Sequence, residues 1–170
     1  MGRTDAYDKP LAFLEDGRGP RLVRTGTTAR RHDGTKEDLV LRVDSPLTDA
    51  EEALVTRIMD CGFAVHKGLG PGFREKIYQR ALCLELDSRG LDFECEKRIE
   101  VRYKQWSIPG QTIDLVVAGL VLVEVKTVPR LRELHRKQVL SYLKTMTLRV
   151  GLLMNFNTEV LKHGLRRVVN

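Results

Sequence analysis

A chain of 170 residues with 42% hydrophobic and 31% charged side chains has the composition of a soluble globular protein with one core, and is too short for two comfortable ones. No apolar run is long enough to span a bilayer, and the opening MGRTDAYDKPLAFLEDGRGP lacks the compact apolar segment of a secretory signal. A formal net charge of +6 permits a polyanionic partner without requiring one.

Residues 1–45 differ from the rest. Gly, Arg, Thr and Asp dominate DGRGPRLVRTGTTARRHDGTKED with no sustained period, which predicts a flexible basic tail ahead of a folded domain at 46–170. A phosphate-binding arm and a segment with no role both fit this composition. Order is expected from Ser45-Pro46-Leu47-Thr48, where Thr48 and Glu51 form a T-x-x-E capping box. Leu54, Ile58, Cys61 and Val65 then make one apolar stripe, so a helix runs to about residue 66 and stops at KGLGPG. A second helix is predicted from about residue 72 to residues 88–90, with Gly90 well suited to end it.

Extended segments follow at 93–103 and 112–117, joined by polar residues and Pro109-Gly110, and a third strand at 120–126. Pro129 marks entry to a helix over 130–145. RVGLLMNF reads as a buried strand, and 160–169 as a last strand with an irregularity at Gly164. The order α-α-β-β-β-α-β-β predicts an α/β fold, a mixed central sheet flanked by helices.

Residues 113–128, IDLVVAGLVLVEVKTV, have the composition of strands buried on both faces, yet contain Asp114, Glu124 and Lys126. Charged side chains are rarely buried unless paired or bound to a metal. Alternation puts Glu124 and Lys126 on one face with Leu120 and Leu122, at the strand end where open α/β sheets place ligands. Whether Asp114 joins them depends on the turn. A two-residue Ala118-Gly119 loop would leave Asp114 and Glu124 on opposite faces. A three-residue loop, Val117-Ala118-Gly119, or an equivalent bulge, pairs Val116 with Leu120 and Asp114 with Leu122, one diagonal step from Glu124; this odd loop is the expectation. Converging carboxylates need a cation between them. Lys126 can supply it as an ordinary ion pair; alternatively the oxygens hold Mg²⁺ or Mn²⁺ and Lys126 orients or deprotonates a water, or neutralises a scissile phosphate.

Two helices carry further candidates. Glu75, Tyr78 and Leu82 follow i, i+3, i+7, so Glu75 interrupts an apolar stripe, although an acid in a first helical turn is favoured in any protein. Gln138 and Tyr142 share a face at i and i+4 beside Val139, Leu143 and Met146.

Asp114, then Glu124-x-Lys126 across a strand–turn–strand, resembles the PD-(D/E)XK nuclease superfamily. VHKGLGPGFREKIYQRAL, with Gly72-x-x-Glu75-x-x-Tyr78, is similar to the signature of its GxxExxY branch, and Gln138-x-x-x-Tyr142 to the Q-x-x-x-Y motif of RecB-like nucleases. The resemblance covers about residues 47–157 and four segments in the expected order. It implies a restriction-endonuclease-like core, with Glu75, Asp114, Glu124 and Lys126 as the active-site set. Glu75, Asp114, Glu124 and the Val125 carbonyl would hold Mg²⁺ or Mn²⁺, and Gln138 and Tyr142 would position substrate. The implied activity is metal-dependent hydrolysis of phosphodiester bonds in DNA; the alternative is a non-catalytic nucleic-acid-binding or regulatory module that kept the fold. A homodimer or a targeting partner protein is compatible with either. His66 lies in a matching segment and is expected to be structural. Cys61, Cys83 and Cys95 fit no zinc or cluster spacing and are expected to be reduced, buried thiols of a cytoplasmic protein.

Overall fold

The computed structural model describes residues 47–170; the tail expected over 1–45 lies outside them. Helix α1, Asp49–Leu69, starts at the capping box. Glu51 N–H donates to the Thr48 hydroxyl at 3.2 Å, and Thr48 N–H to the Glu51 carboxylate at 2.7 Å. Its stripe of Leu54, Ile58, Cys61 and Val65 is buried as the spacing predicts. Gly70, at φ 67°, ends it.

Helix α2, Glu75–Ser88, begins three residues later than the sequence suggests. The preceding loop is held by Tyr78, whose hydroxyl donates to the Gly70 carbonyl at 2.6 Å and accepts the Phe73 N–H at 3.1 Å. Tyr78 is fully buried and stacks on Phe156 at 4.7 Å. That clamp delays the helix and makes Glu75 its first residue.

Five strands follow: β1 Phe93–Tyr103, β2 Trp106–Val117, β3 Val121–Lys126, β4 Val150–Asn155 and β5 Leu165–Val169. They lie in the order β1-β2-β3-β4-β5, antiparallel except for the parallel pair β3–β4. That pair is bridged by α3, Glu133–Met146, the crossover a parallel pairing requires. Every residue of β4 is buried, which matches its unbroken apolar run. β2 starts six residues earlier than predicted. Pro109-Gly110 does not end the strand but sits at a register shift, between the pairs Ile99–Gln111 and Val101–Ile108, with Gly110 at φ 111°. The chain reverses instead at Lys104-Gln105. α3 starts three residues late, and the expected irregularity at Gly164 is a single helical turn, α4 Leu161–Gly164, leading into β5.

The sheet carries apolar packing on both faces. Leu115, Val117, Val121, Val123 and Val125 pack with α1 and α2. Ile99, Ile113, Val116 and Leu122 pack with Val139, Tyr142 and Leu143 of α3. The expectation of three reduced thiols is corrected: Cys83 of α2 and Cys95 of β1 form a disulfide, and Cys61 is a buried free cysteine. Packing α2 over the start of β1 brings the two sulfurs together, a relationship no spacing rule encodes. No helix among the described residues is long and apolar enough to cross a membrane.

Candidate active site

Three residues, Ala118, Gly119 and Leu120, separate the paired Val117 and Val121. The loop is odd, as expected, but falls one residue later in the chain, so Val116 faces Leu122, two residues beyond Leu120. Ala118 and Gly119 both adopt positive φ (51° and 65°), and Leu120 N–H donates to the Val117 carbonyl at 3.0 Å. A tight turn thus forms first, and Leu120 is the extra residue beside it. The next step of this register brings Asp114 across from Glu124.

Alternation along β2 also breaks at Asp114. Ile113 packs on the α3 side, whereas Leu115 packs on the α1–α2 side. At the break, Asp114 Oδ2 accepts the Val125 backbone N–H at 2.8 Å, so a side chain supplies a bond that strand pairing supplies elsewhere. Gln79 Nε2 reaches the Asp114 carbonyl at 3.3 Å and Oδ1 at 3.4 Å. Burial raises the Asp114 pKa, while the Val125 N–H and the Lys126 charge oppose the rise.

Glu124 and Lys126 share the α3 side of the sheet. Their side chains are 4% and 13% exposed, and Lys126 Nζ lies 2.6 Å from Glu124 Oε1. Nζ also donates to the Val125 carbonyl at 3.1 Å. Among the described residues, Glu124 Oε2 is the buried side-chain oxygen without a hydrogen-bond partner. Burial first, then repulsion from Asp114, pushes the Glu124 pKa up to about 7 against the pull of Lys126. For Lys126, burial acts downward, but the Glu124 hydrogen bond and the surrounding carboxylates outweigh it, so the net shift is upward. Lys126 is therefore held as an ammonium.

Glu75 sits half-buried at the head of α2. Burial raises its pKa most; Lys126 lowers it, Asp114 raises it, and the Thr127 backbone N–H lowers it. These influences locate its carboxylate beside the end of β3. Within Gly72-x-x-Glu75-x-x-Tyr78, Tyr78 clamps the loop that leads into Glu75.

Gln138 Nε2 donates to the Tyr142 hydroxyl at 2.7 Å, one helical turn along α3. Gln111 Nε2, from β2, donates to the same oxygen at 2.6 Å. Burial raises the Tyr142 pKa, Gln138 lowers it, and the Glu124 charge raises it. The Tyr142 hydroxyl thus feels the carboxylates, although no hydrogen bond among the described residues joins it to them. His66 Nε2 lies 2.7 Å from the Thr158 carbonyl, and its ring packs on Phe156.

Three residues escaped the sequence reading. Gln79 follows Glu75 at i+4 and is buried, a polar position on the same stripe that could have been noticed. Asn155 ends the apolar run of β4 at 1% exposure. Its side chain accepts the Val128 N–H at 3.0 Å and donates to the Val128 carbonyl at 2.8 Å, fixing the chain just past Lys126. A polar residue closing a buried strand was its signal. Gln111 had none.

A model of the PD-(D/E)XK nuclease superfamily matches residues 52–168, and the chain belongs to that superfamily. Comparison with curated proteins and with solved structures gave no significant match. The five-stranded mixed sheet between helices is the restriction-endonuclease-like arrangement, and membership carries a nuclease-like function and the general use of divalent metals. Hard carboxylate oxygens suit such an ion. The buried, unpartnered Glu124 Oε2 is the atom an ion would satisfy. The carboxylates are nevertheless not drawn into a ligand cluster: among the described residues no group of three or more His, Cys, Asp or Glu is arranged to hold a metal.

Proposed function

We propose that this domain is a metal-dependent nuclease that hydrolyses phosphodiester bonds of DNA. The observation that carries the reading is Glu124 Oε2, buried without a partner at the end of β3, beside Asp114 and Lys126. Asp114, Glu124 and Glu75 would hold Mg²⁺ or Mn²⁺, with the Val125 carbonyl as a further oxygen. When bound, the ion lowers the pKa of a water and screens phosphate charge. Lys126 orients or deprotonates the attacking water, or neutralises charge on the scissile phosphate. Asp114 is oriented by the Val125 N–H and Gln79, so it does not depend on the ion for its place. Gln138 and Tyr142 position substrate from α3. Surface Lys and Arg contact phosphates without reading sequence.

Incubation with single- and double-stranded DNA, with and without Mg²⁺ or Mn²⁺, tests this beside Lys126→Ala. Metal-dependent cleavage that the substitution reduces by about 10²-fold or more is expected. Cleavage without metal, or undiminished in Lys126→Ala, would rule the mechanism out. A second reading, a nucleic-acid-binding module without turnover, is favoured by two observations: Lys126 already pairs with Glu124, and among the described residues no three-ligand cluster is assembled. Binding without cleavage by the wild type selects it.

A further inference from the structure

The β1–β2 hairpin extends well past the site. β3 runs antiparallel to β2, so its end at Lys126 points toward the N-terminal half of β2, which continues from Asp114 out to Trp106. Eight residues of strand span roughly 25 Å. The outer part carries an exposed apolar strip: Val101 pairs with Ile108 and Tyr103 with Trp106, and all four side chains share one side. They are 40%, 51%, 58% and 64% exposed, respectively, so neither α3 nor any other described element covers them. This is the α3 side of the sheet, since Ile99, two residues before Val101, packs with Tyr142, and Gln111, its partner, donates to the Tyr142 hydroxyl. Glu124 and Lys126 lie on the same side, with Leu122.

The charge around the strip selects its occupant. Between Arg98 and Ile108 the hairpin is basic: Lys104 stands at the turn beside the strip, while Arg98 and Arg102 alternate onto the opposite side with Glu100, which the Ser107 hydroxyl engages. Lys104, at the turn, lies 5.4 Å over the Tyr103 ring. A second copy would bring like charge against like. Two exposed aromatic rings beside a cation are elements with which proteins hold single-stranded nucleic acid, bases stacking on the rings and phosphates meeting the cation. A duplex keeps its bases stacked on one another and offers none to the rings.

We propose that the hairpin tip is a platform for single-stranded nucleic acid, stacking bases on Tyr103 and Trp106 and meeting phosphates with Lys104, on the same side as Glu124 and Lys126. The inference rests on the nuclease reading for its purpose, not for its test.

Trp106 is the chain's single tryptophan, so its fluorescence reports the contact directly. The full chain, kept in chelator to prevent cleavage, is titrated with an oligothymidylate, with a blunt duplex of equal length, and with an abasic phosphodiester oligomer. Saturable quenching by the single strand alone is expected. In anisotropy with a labelled oligothymidylate, Tyr103→Ala and Trp106→Ala should each weaken binding about tenfold. Lys104→Glu should weaken it and flatten its salt dependence. No quenching, or equal quenching by the duplex or the abasic oligomer, overturns the proposal. So does a fluorescence change with protein concentration alone, which would assign the strip to a second copy. Cleavage without quenching removes the platform and leaves the nuclease; quenching without cleavage does the reverse.

Discussion

Lys126 Nζ lies 2.6 Å from Glu124 Oε1, while Glu124 Oε2, on the same carboxylate, is buried with no hydrogen-bond partner among the described residues. One oxygen is satisfied by a cation and the other is not, so the group is stabilised as an anion on one side only. Its stability and its capacity to bind an ion are therefore two readouts of one arrangement.

The first consequence is a pH dependence. Glu124 has a folded-state pKa of about 7 against an ordinary 4.5. Its contribution to stability is then full below the ordinary value and is lost as pH rises through 7. The loss is on the order of 3 kcal/mol. In chelator, Glu124→Gln should flatten urea-unfolding stability between about pH 5 and pH 8 relative to wild type. Parallel profiles for the two proteins would contradict this.

Metal addition should act in the opposite sense. Mn²⁺ at a hundredfold excess over its Kd should stabilise the fold by about 2.7 kcal/mol, read as a rise in melting temperature. Asp114→Asn and Glu124→Gln should abolish that rise. Lys126→Ala should keep it, since an ion has to displace the Lys126 ammonium from Oε1 in the wild type. Loss of the shift in Lys126→Ala would mean that the lysine, not the carboxylates, organises the site.

Tyr142→Phe removes the oxygen that accepts from both Gln111 and Gln138. Two half-buried amides lose their acceptor, at a cost of about 1 kcal/mol in chemical denaturation. If the hydroxyl also positions substrate, KM or kcat changes beyond what lost stability explains. Gln111→Ala should shift the same kinetic constant by less, because Gln138 still holds the hydroxyl.

Gly164→Ala tests the support behind the site. A Cβ there would meet the Asn155 carbonyl oxygen at 2.3 Å, a backbone atom with no rotamer to escape through. Asn155 in turn fixes Val128, two residues past Lys126. Destabilisation of about 1–3 kcal/mol is expected, with a weaker Mn²⁺ response. A variant as stable as wild type would show that the α4 turn yields freely.

Much of this was legible in local pattern. The capping box at Thr48 and Glu51, the stripe from Leu54 to Val65, and the apolar run of β4 each report a period set by helix or strand pitch. The same alternation placed Glu124 beside Lys126. It also demanded an odd loop at Ala118-Gly119, but it could not choose which pair of residues faces across it. That choice came from two positive-φ residues that close a tight turn and leave Leu120 as the extra one.

The sequence alone determined the order of strands and helices and most of their extent, and that charge sits at the end of an apolar hairpin, because burial of one face imprints its period on the chain. Tertiary structure decided the partners. Asp114 leaves the alternation to take the Val125 N–H, Gln79 and Gln111 arrive from distant elements, and Cys83 meets Cys95. A polar side chain is committed only when packing brings a second group within about 3 Å. Packing is a property of the whole sheet and its helices, not of any segment.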